Sequence, residues 1–347
     1  MFRGKKEGAK QNFKRMRADL FCQSCPALQP SPPLCQTMEC SEDLDTADDL
    51  PVSWTCPDLD TYELYRSREG EMALPPCLWT PTQAQITPLM RTTLVDWMQE
   101  ICSEYGLKRS TFHTAVRLVD RHLCLSPIKV LRESYQLVGV AALVVAAKFE
   151  EVVFPKLRDF SLAAGNAYSL EQITASEREI LLVSHWQVTS PTLYHWTTWL
   201  MTQWDDFTTT LCAEYPLFYE KTEAGYCFYR KGMQLVDIAV LDYAHFAYEG
   251  RLVSAACLLL ALGLTTDTAL ADFQRFLVET LDLCDLTAVA AAVQYMSQFS
   301  AVPQSTAPPK ACLKAKSHYY DYLSVQTHVP GASAFVKRKT QRFPSNI

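Results

Sequence analysis

The chain has 347 residues, of which 48% are hydrophobic, 20% charged and 11% aromatic, with a formal net charge of −6. That is apolar material for two domain-sized cores, and it excludes collagen-like, wholly disordered and disulfide-stapled classes. Acidic residues number 38 against 32 basic ones, so the chain as a whole lacks the positive field with which a protein grips a phosphate backbone.

Residues 1–56 hold a basic head (Lys5, Lys6, Lys10, Lys14, Arg15, Arg17), a Pro-rich patch and an acidic run at 39–49. With so few periodic apolar positions this arm cannot offset its ordering entropy and is expected to be disordered. No apolar run follows the basic head, so it does not read as a secretory signal. The longest apolar runs, 137–147 and 252–264, fall short of the roughly 20 residues a membrane span needs. A soluble nuclear or cytoplasmic protein is expected. Cys22, Cys25, Cys35 and Cys40 supply the four thiolates a zinc site requires, but without an apolar framework they read as free thiols. The thirteen cysteines are an odd number, and Cys102, Cys124, Cys227, Cys257 and Cys284 lie inside apolar helical patterns, which suits buried thiols in a reducing compartment.

Helical spacing begins near residue 57. Thr87-Pro88 supplies an N-cap and a proline for the first turn of a helix whose apolar residues recur at Met90, Leu94, Trp97, Ile101 and Tyr105. Ser110 is the expected cap of the next, which carries Phe112, Val116, Val119 and Leu123 on one face. The segment SYQLVGVAALVVAAKFEE is apolar nearly all round, which places it at the centre of a bundle. Pro155 ends it, a short helix follows at KLRDFSLAA, and Ser169-Leu-Glu-Gln172 is a capping box for a fifth. A second block opens at Ser190-Pro191, and its RLVSAACLLLA aligns with QLVGVAALVVA, with Asp237 at nearly the offset of Asp120. The repeat predicts one five-helix unit used twice, over 57–188 and 189–302, followed by a disordered tail at 303–347. The fold class is all-α.

Catalytic motifs are scarce: there is no Gly-rich phosphate loop, no G-x-S-x-G and no H-E-x-x-H, and 11 glycines in all. An enzyme is not expected, and neither a metal nor a cofactor is called for. The helix MRTTLVDWMQEI carries two apolar stripes, more than one buried face uses, so part of it is expected to line an exposed groove.

MRTTLVDWM, the Asp120-Arg121 of LVDRHL, QLVGVAALVVAAKFEE and Glu177 stand in the order and spacing of a cyclin box, and the chain resembles the cyclin family over about 58–300. The resemblance implies two tandem cyclin folds and a non-catalytic regulatory subunit of a cyclin-dependent serine/threonine kinase, with ATP and magnesium belonging to the partner. Pro155-Lys-Leu-Arg-Asp-Phe160 and Val325-Gln-Thr-His328 look most like E-type cyclins, which act at the onset of S phase, with an A-type cyclin the near alternative. The resemblance assigns Lys148, Phe149, Glu150 and Glu177 to the kinase face and Arg91 with Asp120 to an internal salt bridge. It implies a groove for Arg-x-Leu sequences of substrates and inhibitors, lined by Met90, Leu94, Trp97 and Tyr135, with Glu100 for the basic residue and Gln136 for the peptide backbone. Thr93 and Tyr135 depart from the family's usual Ile and Leu there. A transcription-type cyclin fold that binds DNA or the basal transcription machinery is the alternative from another class, and the acidic composition speaks against it. No membrane or direct nucleic-acid partner is expected. The basic clusters at both ends, Lys337-Arg338-Lys339 above all, resemble nuclear-import sequences, and the Pro-rich patch around Ser31 resembles part of a phosphodegron.

Overall fold

The computed structural model describes residues 59–74, 83, 85–211, 215–219, 223–283 and 286–300. Among these the regular elements are all helical: α1 (Leu59–Glu71), α2 (Pro88–Tyr105), α3 (Arg109–Leu125), α4 (Tyr135–Glu150), α5 (Leu157–Ala163), α6 (Leu170–Val183), α7 (Leu193–Leu211), α8 (Glu223–Leu241), α9 (Gly250–Leu262), α10 (Asp267–Leu281) and α11 (Thr287–Ser300). The expectations for the arm and the tail, for Cys22, Cys25, Cys35 and Cys40, for Ser31, for Val325–His328 and for the terminal basic clusters lie outside the described residues. Two compact units form, one from 79–188 and one from 189–300, the latter joined by 59–74.

In the first unit α4 packs against α2, α3, α5 and α6, and its side chains from Tyr135 to Ala147 are buried apart from the half-buried Leu137. Gly139 makes room for this packing: a Cβ there would meet Leu94 Cδ1 of α2 at 2.7 Å. The Thr87 hydroxyl accepts from the Met90 N–H at 3.2 Å, and α2 stops at Gly106, whose φ of 63° suits a residue without Cβ. Both bonds of the Ser169/Gln172 capping box form. The start of α3 differs from expectation, because Ser110 lies inside the helix and caps nothing. Glu151, at the end of α4, takes over: its Oε1 accepts from the Lys108 N–H at 2.7 Å and the Thr111 hydroxyl at 2.5 Å. A carboxylate at a helix N-terminus also meets the positive end of the helix dipole.

In the second unit α9 packs against α7, α8 and α11 and repeats the part of α4, with Leu252, Val253, Ala256 and Leu258 buried. Trp196, Trp204, Phe273 and Phe276 fill the core around it. The start of α7 falls later than Ser190-Pro191 predicts. Its first helical bond runs from the Trp196 N–H to the Thr192 carbonyl at 3.1 Å, and Thr192 pairs with His195 Nδ1 at 2.8 Å. Helix α1, counted by its sequence position with the block at 57–188, groups with this unit instead. The Tyr62 hydroxyl donates to the Leu281 carbonyl at 2.8 Å and accepts from Arg251 at 3.0 Å, and Glu69 accepts from the Gly250 N–H at 2.6 Å. Tyr62 stacks on Trp199 and Tyr65 meets Trp196 edge-on. A polar helix with few apolar side chains has only its tyrosines to bury, and their aromatic partners lie on α7.

Candidate protein-interaction surface

Inside the first unit, Arg91 of α2 and Asp120 of α3 are both fully buried and form a two-pronged pair, Nε to Oδ1 at 2.7 Å and Nη2 to Oδ2 at 2.8 Å. The fork of a guanidinium matches both carboxylate oxygens, and this geometry is what makes a buried charge pair tolerable. The pair locks α2 onto α3.

At the end of α4 the character of the unit changes. Lys148 Nζ bonds Glu177 Oε1 of α6 at 2.5 Å, with the lysine half-exposed and the glutamate largely covered. Beyond the pair the chain leaves the helix with Phe149, Val152, Val153 and Phe154 in water, Val152 at 91% and Val153 at 86% exposure. Consecutive apolar residues this open on an otherwise compact unit mark a contact surface. Glu150 is turned away from it: its carboxylate accepts from the Thr114 hydroxyl at 2.9 Å and joins α4 to α3. Of the four residues assigned to this face, Lys148, Phe149 and Glu177 come together at it, while Glu150 ties the scaffold behind it.

The residues expected to line a groove on α2 present little surface. Met90, Leu94, Trp97, Tyr135 and Gln136 are all buried, and Glu100 is half-buried. The surplus apolar surface of α2 is used up by burial: Leu94 sits on Gly139, and the Tyr135 ring lies among the first-unit core side chains, close enough to Asp120 and Arg91 to feel both charges. Burial pushes the Tyr135 phenol far above its ordinary range, with Asp120 adding to the effect and Arg91 opposing it. Trp97 Nε1, Tyr135 Oη and Gln136 Nε2 are buried donors without an acceptor among the described residues. The Gln136 carbonyl oxygen accepts from the Tyr168 hydroxyl at 3.4 Å.

Trp186 and Leu182 belong to the exposed apolar set and were not singled out in the sequence. Helix α6 ends in a Schellman turn, with the Trp186 N–H on the Leu181 carbonyl, in which His185 and Trp186 both take left-handed φ values, 53° and 60°. Two non-glycine residues in that region cost on the order of 1 kcal/mol each, and the turn leaves the indole 67% exposed. A tryptophan after an amphipathic helix carries no local sign that it faces water.

Among the described residues no group of three or more His, Cys, Asp or Glu side chains is arranged to hold a metal ion. Cys102, the buried thiol of α2, has its pKa pushed up by burial and by the Glu151 charge, which makes it unreactive.

The family model described as the cyclin N-terminal domain matches residues 60–189. Cyclin-B1-1 of Oryza sativa subsp. japonica is 37% identical over 135 residues, 39% of this chain and 29% of that protein. Cyclin-A3-2 of Arabidopsis thaliana is 29% identical over 227 residues, 65% of this chain and 57% of its own length. The chain thus spans less than two thirds of the relatives it matches. A viral cyclin from herpesvirus saimiri superposes with a TM-score of 0.54 at 17% identity, over 69% of this chain and 95% of that one, which establishes the cyclin fold.

Proposed function

We propose that this member of the cyclin family, with its cyclin N-terminal domain over residues 60–189, is a non-catalytic regulatory subunit that binds and activates a cyclin-dependent serine/threonine kinase in cell-cycle progression. The observation that carries the reading is the Lys148–Glu177 pair, its lysine half-exposed, bordered by the exposed Phe149, Val152, Val153 and Phe154. A charge pair reads backbone donors and acceptors, while the apolar residues beside it supply the burial that holds a partner helix. Behind the surface α4 is buried among α2, α3, α5 and α6; a surface on such a core selects the kinase conformation that fits it, and activation is a population shift. The relatives reported above carry A- and B-type names, so we assign the chain to an A- or B-like subclass in place of the E-type that Pro155–Phe160 suggests. Nuclear localisation through the terminal basic clusters belongs to the same proposal. Docking of Arg-x-Leu sequences receives less support, since Met90, Leu94, Trp97 and Tyr135 present little apolar surface.

The test is to mix the full chain with purified cyclin-dependent kinase subunits and measure phosphorylation of a peptide substrate. Activation by the wild type and its loss in Lys148→Ala, with an unchanged circular-dichroism spectrum, is the expected result. Equal kinase activity with and without the chain, across the kinases tried, overturns the reading.

A further inference from the structure

The surface at the end of α4 finishes in a segment with no apolar anchor of its own. Val152, Val153 and Phe154 follow the helix in irregular backbone, and all three are exposed. Burial of their side chains therefore cannot fix where they stand, and the bonds at the two ends of the segment have to. The far end is tied down by Asp159 of α5. Its Oδ2 accepts from the Lys156 N–H at 3.1 Å, and its carbonyl accepts from the Tyr105 hydroxyl of α2 at 3.1 Å.

The near end is Glu150-Glu151, and both glutamates are held by α3. Lys108, Thr111 and Thr114 stand three residues apart, a spacing that lines them up on one side of that helix. The Lys108 N–H and the Thr111 hydroxyl donate to Glu151 Oε1 at 2.7 and 2.5 Å, and the Thr114 hydroxyl donates to Glu150 Oε1 at 2.9 Å. The Lys108 ammonium adds a bond to the Glu150 carbonyl at 3.2 Å. Thr111 and Thr114 are buried, so water competes little for what they donate.

On the reading of this face as the kinase contact, we propose that Glu150 and Glu151 are positioning residues: they fasten the exposed segment, and the Lys148 and Phe149 that precede it, to the first two turns of α3. Their carboxylates work on α3, and the kinase meets what they hold in place. A recognition surface that shifts by about 1 Å loses its contacts, so a strap of charge-assisted bonds sets affinity without entering the interface. Thr111 and Thr114 thereby take part in kinase recognition, although both are buried.

Substitutions separate a hydrogen-bonding role from a charge. Glu151→Gln keeps an oxygen for the Lys108 N–H and the Thr111 hydroxyl, Glu151→Ala removes it, and the pair Thr111→Val/Thr114→Val removes the hydroxyls while leaving both carboxylates. Two quantities are read on the full chain. One is affinity for the purified cyclin-dependent kinase that the wild type binds; the other is cutting after Val152 and Val153 by an elastase-type protease, relative to cutting after Val183 at the end of α6. Glu151→Ala and the threonine pair are expected to weaken kinase binding about tenfold and to speed relative cutting about tenfold. Glu151→Gln is expected to stay within about threefold of the wild type in both. A Gln variant as weak as the Ala variant overturns the proposal, because the charge then acts on the kinase directly. Unchanged kinase binding in the threonine pair overturns it, and so does cutting that rises equally after Val183, the mark of a general loss of folding. A wild type that binds no kinase overturns the reading of the face instead; equal relative cutting in wild type and threonine pair then overturns the strap on its own.

Discussion

Between residues 79 and 188 the chain leaves ten large hydrophobic side chains besides Leu89 in water, among them Val152, Val153, Ile128 and Trp186, whereas between 189 and 300 Val278 stands alone among the described residues. Charge divides the two stretches as well: the first holds eleven Lys/Arg and eleven Asp/Glu, the second five and thirteen. Yet their central helices, α4 and α9, are aligned in sequence and equally buried. A shared packing plan therefore leaves the surface free to diverge. The first unit leaves apolar side chains on its surface, and the second turns its aromatic residues inward or against α1.

Substitutions in the two units should accordingly fail in different ways. The largest effect is expected for Arg91→Ala, which strands Asp120 in the core of the first unit and should cost about 3–5 kcal/mol. Denaturant unfolding of the full chain should show an early transition for the first unit with the second little changed. A loss below about 1 kcal/mol would mean that water reaches Asp120 and that the two cores are less alike than their burial indicates.

Lys148→Ala sharpens the contrast from the other side. The lysine is half-exposed, so its pair with Glu177 contributes at most about 1 kcal/mol to folding. Its loss should weaken kinase binding by about 2–5 kcal/mol, which titration calorimetry reads directly. Lys231→Ala is the counterpart in the second unit. There the ammonium caps the end of α9 by donating to the Ala261 carbonyl at 2.7 Å, and burial lowers its pKa to about 8. That variant should lose stability and keep the kinase. Reversed outcomes would move the recognition surface to the second unit.

What the sequence discloses in each unit follows the range of the signal. Thr87, Gly106 and the Ser169/Gln172 box are legible because each acts within four residues of itself, and α4 is legible because its apolar run has no polar face. Glu151 capping α3 from forty residues away carries no local mark, and Ser110 was the false cap that local reading supplies. The same limit hid the membership of α1, whose tyrosines find partners beyond residue 190, and the full burial of Tyr135. Arg91, Asp120, Lys148 and Glu177 were legible only as a constellation, since each alone reads as a solvated charge.

Acid should separate the units next. His122 of α3 is buried, and this lowers its pKa to about 4, Glu179 at 3.8 Å being too exposed to reverse the effect. Above pH 6.5 the ring is neutral folded or unfolded and contributes nothing. As the pH falls from 6.5 towards 4, only the unfolded chain takes the proton, so the first unit should lose up to about 1.4 kcal/mol per pH unit. His122→Gln should flatten that slope in the first transition and leave the second unchanged. Parallel slopes in variant and wild type would mean that the ring is already solvated.

The smallest expected effect bears on where the second unit begins. Tyr62→Phe keeps the ring on Trp199 and removes one hydroxyl, which donates to the Leu281 carbonyl and accepts from Arg251. Arg251 keeps its bond to Glu249 at 2.6 Å and still reaches the Leu281 carbonyl at 3.4 Å, so that carbonyl is not left bare. The net loss should be about 1 kcal/mol. It should appear in the second transition of the full chain, although residue 62 precedes the whole first unit in sequence. Displacement of the first transition instead would return α1 to the block at 57–188 and make the boundary between the units a single cut near residue 188.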